Sequence, residues 1–272
     1  MADAEIKLID TVTKLDAGHR DAVLIGASHG GVYAAYCAAK AGVRAVILND
    51  ASVGKDAAGI GGLAYLQELG LPAATVDAGT GRIADAADMA EHGRISHVNA
   101  AAAGLGCTAG QATMACAEAL RAAPAWRGTA PAYDEARFVL QAAPGAPRVI
   151  GCDSASLIDP ADDAGAILIT GSHGALLGGK ADAAIPPGLL AVTFNDAGVG
   201  RDGAGIRRLA LLDSYPTIAA TVAAGTARIG DARSAWDDGV VSHVNETAHA
   251  IGGESGMTLQ AFVERVIETA DK

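Results

Sequence analysis

Short apolar runs alternate along the chain with longer stretches in which alanine and other apolar residues recur at helical spacing. DAVLIG at 21–26 reads as a strand, VYAAYCAAKAG at 32–42 as a helix and VRAVILND at 43–50 as a second strand. AAGIGGLAYLQELG at 57–70 then reads as a helix and LPAATVDA at 71–78 as a third strand. A loop or helix start with Arg82 and Asp85 comes next, and then a helix carrying SHVN at 96–99. Gly42 and Gly70 stand where helix C-caps are expected. Strands and helices in alternation predict an α/β unit with a mostly parallel sheet and right-handed crossovers.

The same pattern is written a second time. NDASVGKDAAGI at 49–60 recurs as NDAGVGRDGAGI at 195–206, and AATVDAGTGRIADA at 73–86 as AATVAAGTARIGDA at 219–232. SHG at 28–30 recurs at 172–174, and SHVN at 96–99 recurs at 242–245. From Asn49 onward the offset is a constant 146 residues without a gap. This predicts a tandem duplication of a Rossmann-like unit, copy one at 5–126 and copy two at 148–272, related by a pseudo-twofold axis. Residues 127–147 form a connector rich in Pro, Ala and Gly, in which ARFVLQ can add an edge strand.

Composition narrows the function. Half of the 272 residues are apolar but only 4% are aromatic, and the formal charge is −11. That balance argues against a nucleic-acid partner, which needs a basic stripe to neutralise phosphates. The N-terminus has no apolar core of a secretion signal, and no apolar run is long enough to span a membrane. The four cysteines (Cys37, Cys107, Cys116 and Cys152) lack CxxC spacing and read as free thiols. A cytoplasmic homo-oligomer acting on a small molecule is the expectation, since Ala-rich helices with few charges need a covering partner.

GASHGG at 26–31 has the outline of a nucleophile elbow. Two features set it apart from an α/β-hydrolase: about 20 residues precede it, and copy two has Thr170 in place of its first glycine. The glycines permit a tight turn into a helix whose first amides can hold an oxyanion. The plainer reading makes Ser28 and Ser172 helix N-caps.

The polar residues kept by both copies define the candidate site. Ser28, His29, His173, Asp50 and Asp196 are the candidate catalytic groups. Gly30, Gly31, Asn49, Asn195, Lys55, Arg201, Arg82, Arg228 and Ser172 are candidates for binding substrate. His97, His243, Asn99 and Asn245 are secondary candidates, with a structural role as the alternative. These groups follow successive strands and so gather at the carboxyl edge of a parallel sheet. The expected function is hydrolysis of a C–N, amide-like bond in a small polar or anionic metabolite, in the cleft between the copies. His29 would act as general base on Ser28 or a water, and Arg82 or Lys55 would hold a carboxylate. Two alternatives stand beside it: a racemase, isomerase or lyase, and a metabolite-binding module without turnover. Racemases with two pseudo-symmetric α/β domains resemble this arrangement, but their usual cysteine pair has no match here, which leaves a His29/His173 pair. No HxH, HxxH or HExxH spacing and no nucleotide-binding fingerprint occurs, so no cofactor is expected, with a divalent metal from sequence-distant ligands left open.

Overall fold

The structure, a computed structural model, describes residues 4–180 and 185–270. The first half runs β1 (Ile6–Ile9), β2 (Val23–His29), α1 (Val32–Ala41), β3 (Ala45–Asn49), α2 (Gly62–Glu68), β4 (Ala73–Val76), α3 (Ala86–His92), β5 (Ile95–Val98), α4 (Ala100–Ala103) and α5 (Thr113–Leu120). Its sheet keeps the consecutive order β1-β2-β3-β4-β5, parallel through β4 and antiparallel at β5. The second half runs β6 (Arg137–Gln141), β7 (Val149–Cys152), β8 (Ile167–His173), β9 (Ala191–Asn195), α6 (Arg207–Leu212), β10 (Ile218–Val222), α7 (Ala232–Asp238), β11 (Val241–Val244), α8 (Glu246–Ala250) and α9 (Leu259–Ala270). Its sheet is ordered β11-β10-β9-β8-β7-β6, parallel from β7 to β10 with an antiparallel strand at each edge. The protein is therefore α/β with two mostly parallel mixed sheets, and ARFVLQ does supply an edge strand, β6. Among the described residues no helix is long and apolar enough to cross a membrane.

Side chains alternate across each strand, and both faces are covered. Val23, Ile25 and Ala27 of β2 join Met89 of α3 and Cys116 and Leu120 of α5 in one core. Leu24 points the other way and packs with Ala35 and Ala38 of α1 and Leu66 of α2. The small alanines let α1 lie close on the sheet, which gives the unbroken apolar run its two dry faces.

The structure departs from the sequence expectation in four places. SHVN lies on a strand, β5, because Ser96 bonds Thr75 on β4 (3.0 Å) and helix geometry begins only after Asn99, the N-cap of α4. Ser28 and His29 are the last residues of β2 rather than part of a turn after it. The stretch before α2 starts as a 3-10 segment, Lys55–Ile60, with Asp56 and Ala57 left-handed at φ 52° and 56°. In the second half β8 leads to a 3-10 turn at Leu177–Gly179, and no counterpart of α1 occurs among the described residues.

The repeated NDA-x-VG stretch folds into an unusual loop. Ala51, Ser52, Val53 and Gly54 are all left-handed, with φ of 46°, 59°, 65° and 68°. Ala197, Gly198, Val199 and Gly200 repeat this, with φ of 50°, 70°, 66° and 66°. Each non-glycine residue in that region costs about 1–2 kcal/mol, so the loop needs anchors. Asp50 is one: its buried Oδ1 accepts the amides of Ser52 and Ala78, both at 2.9 Å. Asp196 does the same for Gly198 (2.8 Å) and Ala224 (2.9 Å). Asn49 and Asn195 complete the clamp, each accepting an amide at 2.9 Å and donating to a carbonyl at 3.0 Å.

The two loops dock the halves reciprocally. Lys55 N donates to Ala224 O (2.8 Å), and Arg201 N donates to Ala78 O (2.7 Å). Arg82 reaches Asp202 at 3.1 Å, while Arg228 reaches Asp56 at 3.0 Å. Ala51, Ile83, Ala175, Ala197 and Ile229 fill the space between them. Asp50→Ala and Asp196→Ala should each cost about 1–3 kcal/mol, the penalty for stranding buried amides. Urea unfolding of the full chain measures this, and a loss below about 0.5 kcal/mol, as at an ordinary surface position, would contradict the anchoring role.

Candidate functional site

His29 ends β2 at a register shift beside β3, where its ring leaves the sheet at the carboxyl edge. The Gly31 amide donates to its Nδ1 at 3.2 Å, which leaves the ring proton on Nε2. A Cβ at residue 31 would stand 2.7 Å from that Nδ1, so the glycine lets the ring lie close against the turn. His173 ends β8 in the same way, with the Ala175 amide on its Nδ1 at 3.3 Å. Both imidazoles are therefore set up as neutral rings that donate through Nε2.

Each histidine lines its own pocket, and each pocket draws on both halves. The His29 pocket, about 280 Å³, is walled by Gly31, Val32, Tyr33 and Asp56 of the first half and by Arg228, Gly230 and Asp231 of the second. Tyr133 and Glu135 of the connector close it. The His173 pocket, about 230 Å³, combines Ser172, His173 and Arg208 with Thr11, Thr13 and Lys14 of the first half. A larger hollow of about 550 Å³ adjoins both, sharing Tyr33 with one and Thr13 and Ser156 with the other. It contains no histidine and so offers less chemistry.

Electrostatics separates the groups in the His29 pocket. Burial pushes His29 down to about 4, so the ring is neutral at physiological pH. Burial pushes His173 down to about 3, with help from the charge of Arg208 and from His29. Glu135 moves the other way: burial, reinforced by the charge of Asp153, raises its carboxyl to about 7, against the pull of the nearby Tyr33 and Ser154 hydroxyls. Its Oε2 is buried without a hydrogen-bond partner. Burial also raises the Tyr33 phenol, which keeps its proton.

The remaining candidates are placed elsewhere. Ser28 is buried and its Oγ accepts the Val12 amide at 3.1 Å, and Ser172 accepts that of Ala155 at 2.9 Å. Neither serine is the N-cap of the element that follows it: Gly31 precedes α1 without a side-chain cap, and both hydroxyls instead accept the first amide of a sequence-distant 3-10 turn. No hydrogen bond joins Ser28 to His29 among the described residues. Asn49, Asp50, Asn195 and Asp196 are committed to the loop clamps. Lys55 pairs with Asp238 (2.7 Å), Arg82 with Asp85, Asp88 and Asp202, and Arg201 with Asp88 and Asp202 (3.6 Å each), so these cations hold the junction. Arg228 lines the His29 pocket but is shared between Asp231 and Asp56. Gly30 packs beneath the turn, where a Cβ would meet Gly59 O at 2.6 Å. Asn99 and Asn245 each cap a helix and tie it to the neighbouring strand, while His97 and His243 sit opposite Thr75 and Thr221 with a buried, unpartnered Nδ1. Among the described residues, no group of three His, Cys, Asp or Glu side chains converges to hold a metal.

Glu135 and Tyr133 were not among the sequence candidates, because they lie in the connector and have no match in the repeat. The one available signal was YDE at 133–135, an aromatic–acidic triplet inside an otherwise Ala/Pro/Gly stretch.

The shifts carry a stability signature. The unfolded chain protonates both histidines near 6.5 and the folded chain only near 4 and 3, so both remove stability as pH falls below 6.5. Glu135 opposes them, since its raised pKa adds stability at low pH that is lost as pH rises through 7. Nitrogen-15 NMR of the imidazoles should find two of the seven histidines neutral and Nε2-protonated from pH 8 down to pH 5. Ordinary titration of all seven near 6.5 would contradict the pocket geometry. Comparison with known proteins adds no family assignment: no family model, curated protein or solved structure matches the chain.

Proposed function

We propose that the chain is a small-molecule enzyme working by proton transfer in the His29 pocket, built from two halves that arose by tandem duplication and face each other across a pseudo-twofold axis. The reciprocal contacts support the symmetry, since Lys55/Arg201, Asp56/Asp202, Ala78/Ala224 and Arg82/Arg228 all differ by the repeat offset of 146. The observation that carries the function is Glu135, a carboxyl raised to about 7 with an unpartnered Oε2, in one pocket with a neutral imidazole donor. A base poised near the working pH beside a neutral electrophile is the pairing required to remove a proton next to a carbonyl.

In this mechanism the substrate carbonyl accepts a hydrogen bond from His29 Nε2–H. The first-turn amides of α1, at Val32 and Tyr33, add positive potential from the same side. Glu135 takes a proton from the adjacent carbon, and the electron pair of that C–H bond moves into the carbonyl to give an enolate-like oxygen held by His29. Return of the proton to either face or to the neighbouring carbon completes a racemisation or isomerisation, and expulsion of a leaving group instead completes an elimination. Amide hydrolysis is the second reading. In it Glu135 would activate a water, as Ser28 lies off the pocket with its Oγ engaged by Val12.

Proton NMR in D2O over a panel of small carbonyl metabolites separates the two. Exchange of a carbon-bound hydrogen for deuterium, lost with Glu135→Gln by about 10²–10⁴-fold and retained by Ser28→Ala, is the expected outcome. Release of an amine without deuterium incorporation would favour hydrolysis, and an unimpaired Glu135→Gln variant would move the base elsewhere. Gly230→Ala is a test of the pocket wall. Its Cβ would stand 3.2 Å from His29 Cε1 at a backbone φ of 79°, so turnover should fall while Ala84, its left-handed alanine counterpart, tolerates change to glycine.

A further inference from the structure

The His173 pocket has the opposite chemistry to its neighbour. Among the described residues, Asp56, Asp231 and Glu135 line the His29 pocket with Arg228 as its one cation. Among the described residues no carboxylate lines the His173 pocket, which holds Lys14 and Arg208, in a chain whose net charge is −11. Arg208 is almost fully buried, donates from Nη2 to Ala175 O at 2.7 Å and stacks on Phe194 at 4.9 Å. That fixes a guanidinium beneath the pocket. Lys14 stands exposed at the rim, and no carboxylate is within ion-pair distance of it among the described residues.

Hydroxyls supply the rest. Thr11, Thr13, Ser154, Ser156 and Ser172 all line the pocket. Four of them sit in two turns, one from each half, paired as Thr11 with Thr13 (2.9 Å) and Ser154 with Ser156 (2.8 Å), and Ser172 comes from the end of β8. Backbone amides already occupy oxygen lone pairs of Thr11, Ser154 and Ser172. Each pairing uses one hydroxyl hydrogen, and the Ser154 hydroxyl also engages the Glu135 carboxyl, so the clearest remaining donor is Ser172. His173 is also a donor, through Nε2, because Ala175 occupies its Nδ1. A concave site made of O–H and N–H donors with two cations matches an anion with several acceptor oxygens.

We infer that the His173 pocket is a second ligand site that binds a phosphate-type tetrahedral oxyanion, either free or as the end of a small phosphomonoester. At about 230 Å³ it lies below the roughly 300–1,000 Å³ of pockets for drug-sized ligands, which limits the organic part to a few atoms. The second half has no helix in the place of α1 among the described residues, so hydroxyls and Lys14 do here what helix amides do at His29. The site binds and does not transfer protons: its imidazole is neutral, and no carboxylate lines the pocket among the described residues.

Isothermal titration of the full chain with inorganic phosphate tests this, with acetate and chloride at matched ionic strength as controls. Phosphate should bind while acetate and chloride do not, and Lys14→Glu should weaken phosphate at least tenfold without changing the melting temperature of the unliganded chain. Thr13→Val, which removes one donor at an exposed position, should weaken it less. Methyl phosphate binding as well as phosphate assigns the site to a monoester, and its exclusion assigns it to the free anion. Glu135→Gln, whose amide oxygen still accepts from the Ser154 hydroxyl, should leave phosphate binding intact, so that the result does not depend on the catalytic reading of the His29 pocket. Phosphate heat no greater than that of chloride, full affinity in Lys14→Glu, or loss of binding in Glu135→Gln would overturn the inference.

Discussion

The left-handed loops at 51–54 and 197–200 are the constraint on which the rest of the molecule depends. A run of left-handed residues that includes valine is costly, and it persists because Asp50 and Asp196 take up the amides that the turn exposes. Its effect is to aim the amides of Lys55 and Arg201 at carbonyls of the opposite half. Backbone hydrogen bonds of this kind fix distance and orientation together, which apolar packing between alanines cannot do alone. The ion pairs of Arg82 and Arg228 then lock the halves in register.

Both pockets are consequences of that docking. Arg228, Gly230 and Asp231 of the second half wall the pocket that holds His29 and Tyr33, and the connector adds Glu135 to the same pocket. The raised carboxyl and the lowered imidazole have the same origin, loss of water from a junction between two sheet edges. The contrast between the pockets comes from what each junction edge supplies. On one side lie the connector and α1, and on the other the turns carrying Thr11, Thr13, Ser154 and Ser156.

Much of the fold was legible because apolar periodicity reports burial directly: β2, α1, β3 and β4 fall where the pattern put them. SHVN was misread as helical, since four residues cannot distinguish a short strand from the first turn of a helix, and Asn99 serves both by ending β5 and capping α4. The repeat draws attention to His29 and His173, whose rings line pockets. It also gathered residues that the structure spends on shape. Asn49, Asp50, Asn195 and Asp196 recur because the loop clamp recurs, and Lys55, Arg82 and Arg201 because the junction does. Internal repetition cannot separate these roles, and it is blind to a residue such as Glu135 that occurs once. That residue becomes visible only when the chain is folded and the connector crosses the His29 pocket.

Docking of the halves desolvates Glu135 in the same pocket as the neutral His29. Carbon-13 NMR of the full chain labelled at glutamate Cδ, with Glu135 assigned through the Glu135→Gln variant, measures this directly. A titration midpoint near 7, well above the ordinary 4.5, is expected. A midpoint at the ordinary value would show Glu135 in water and contradict the assembled site.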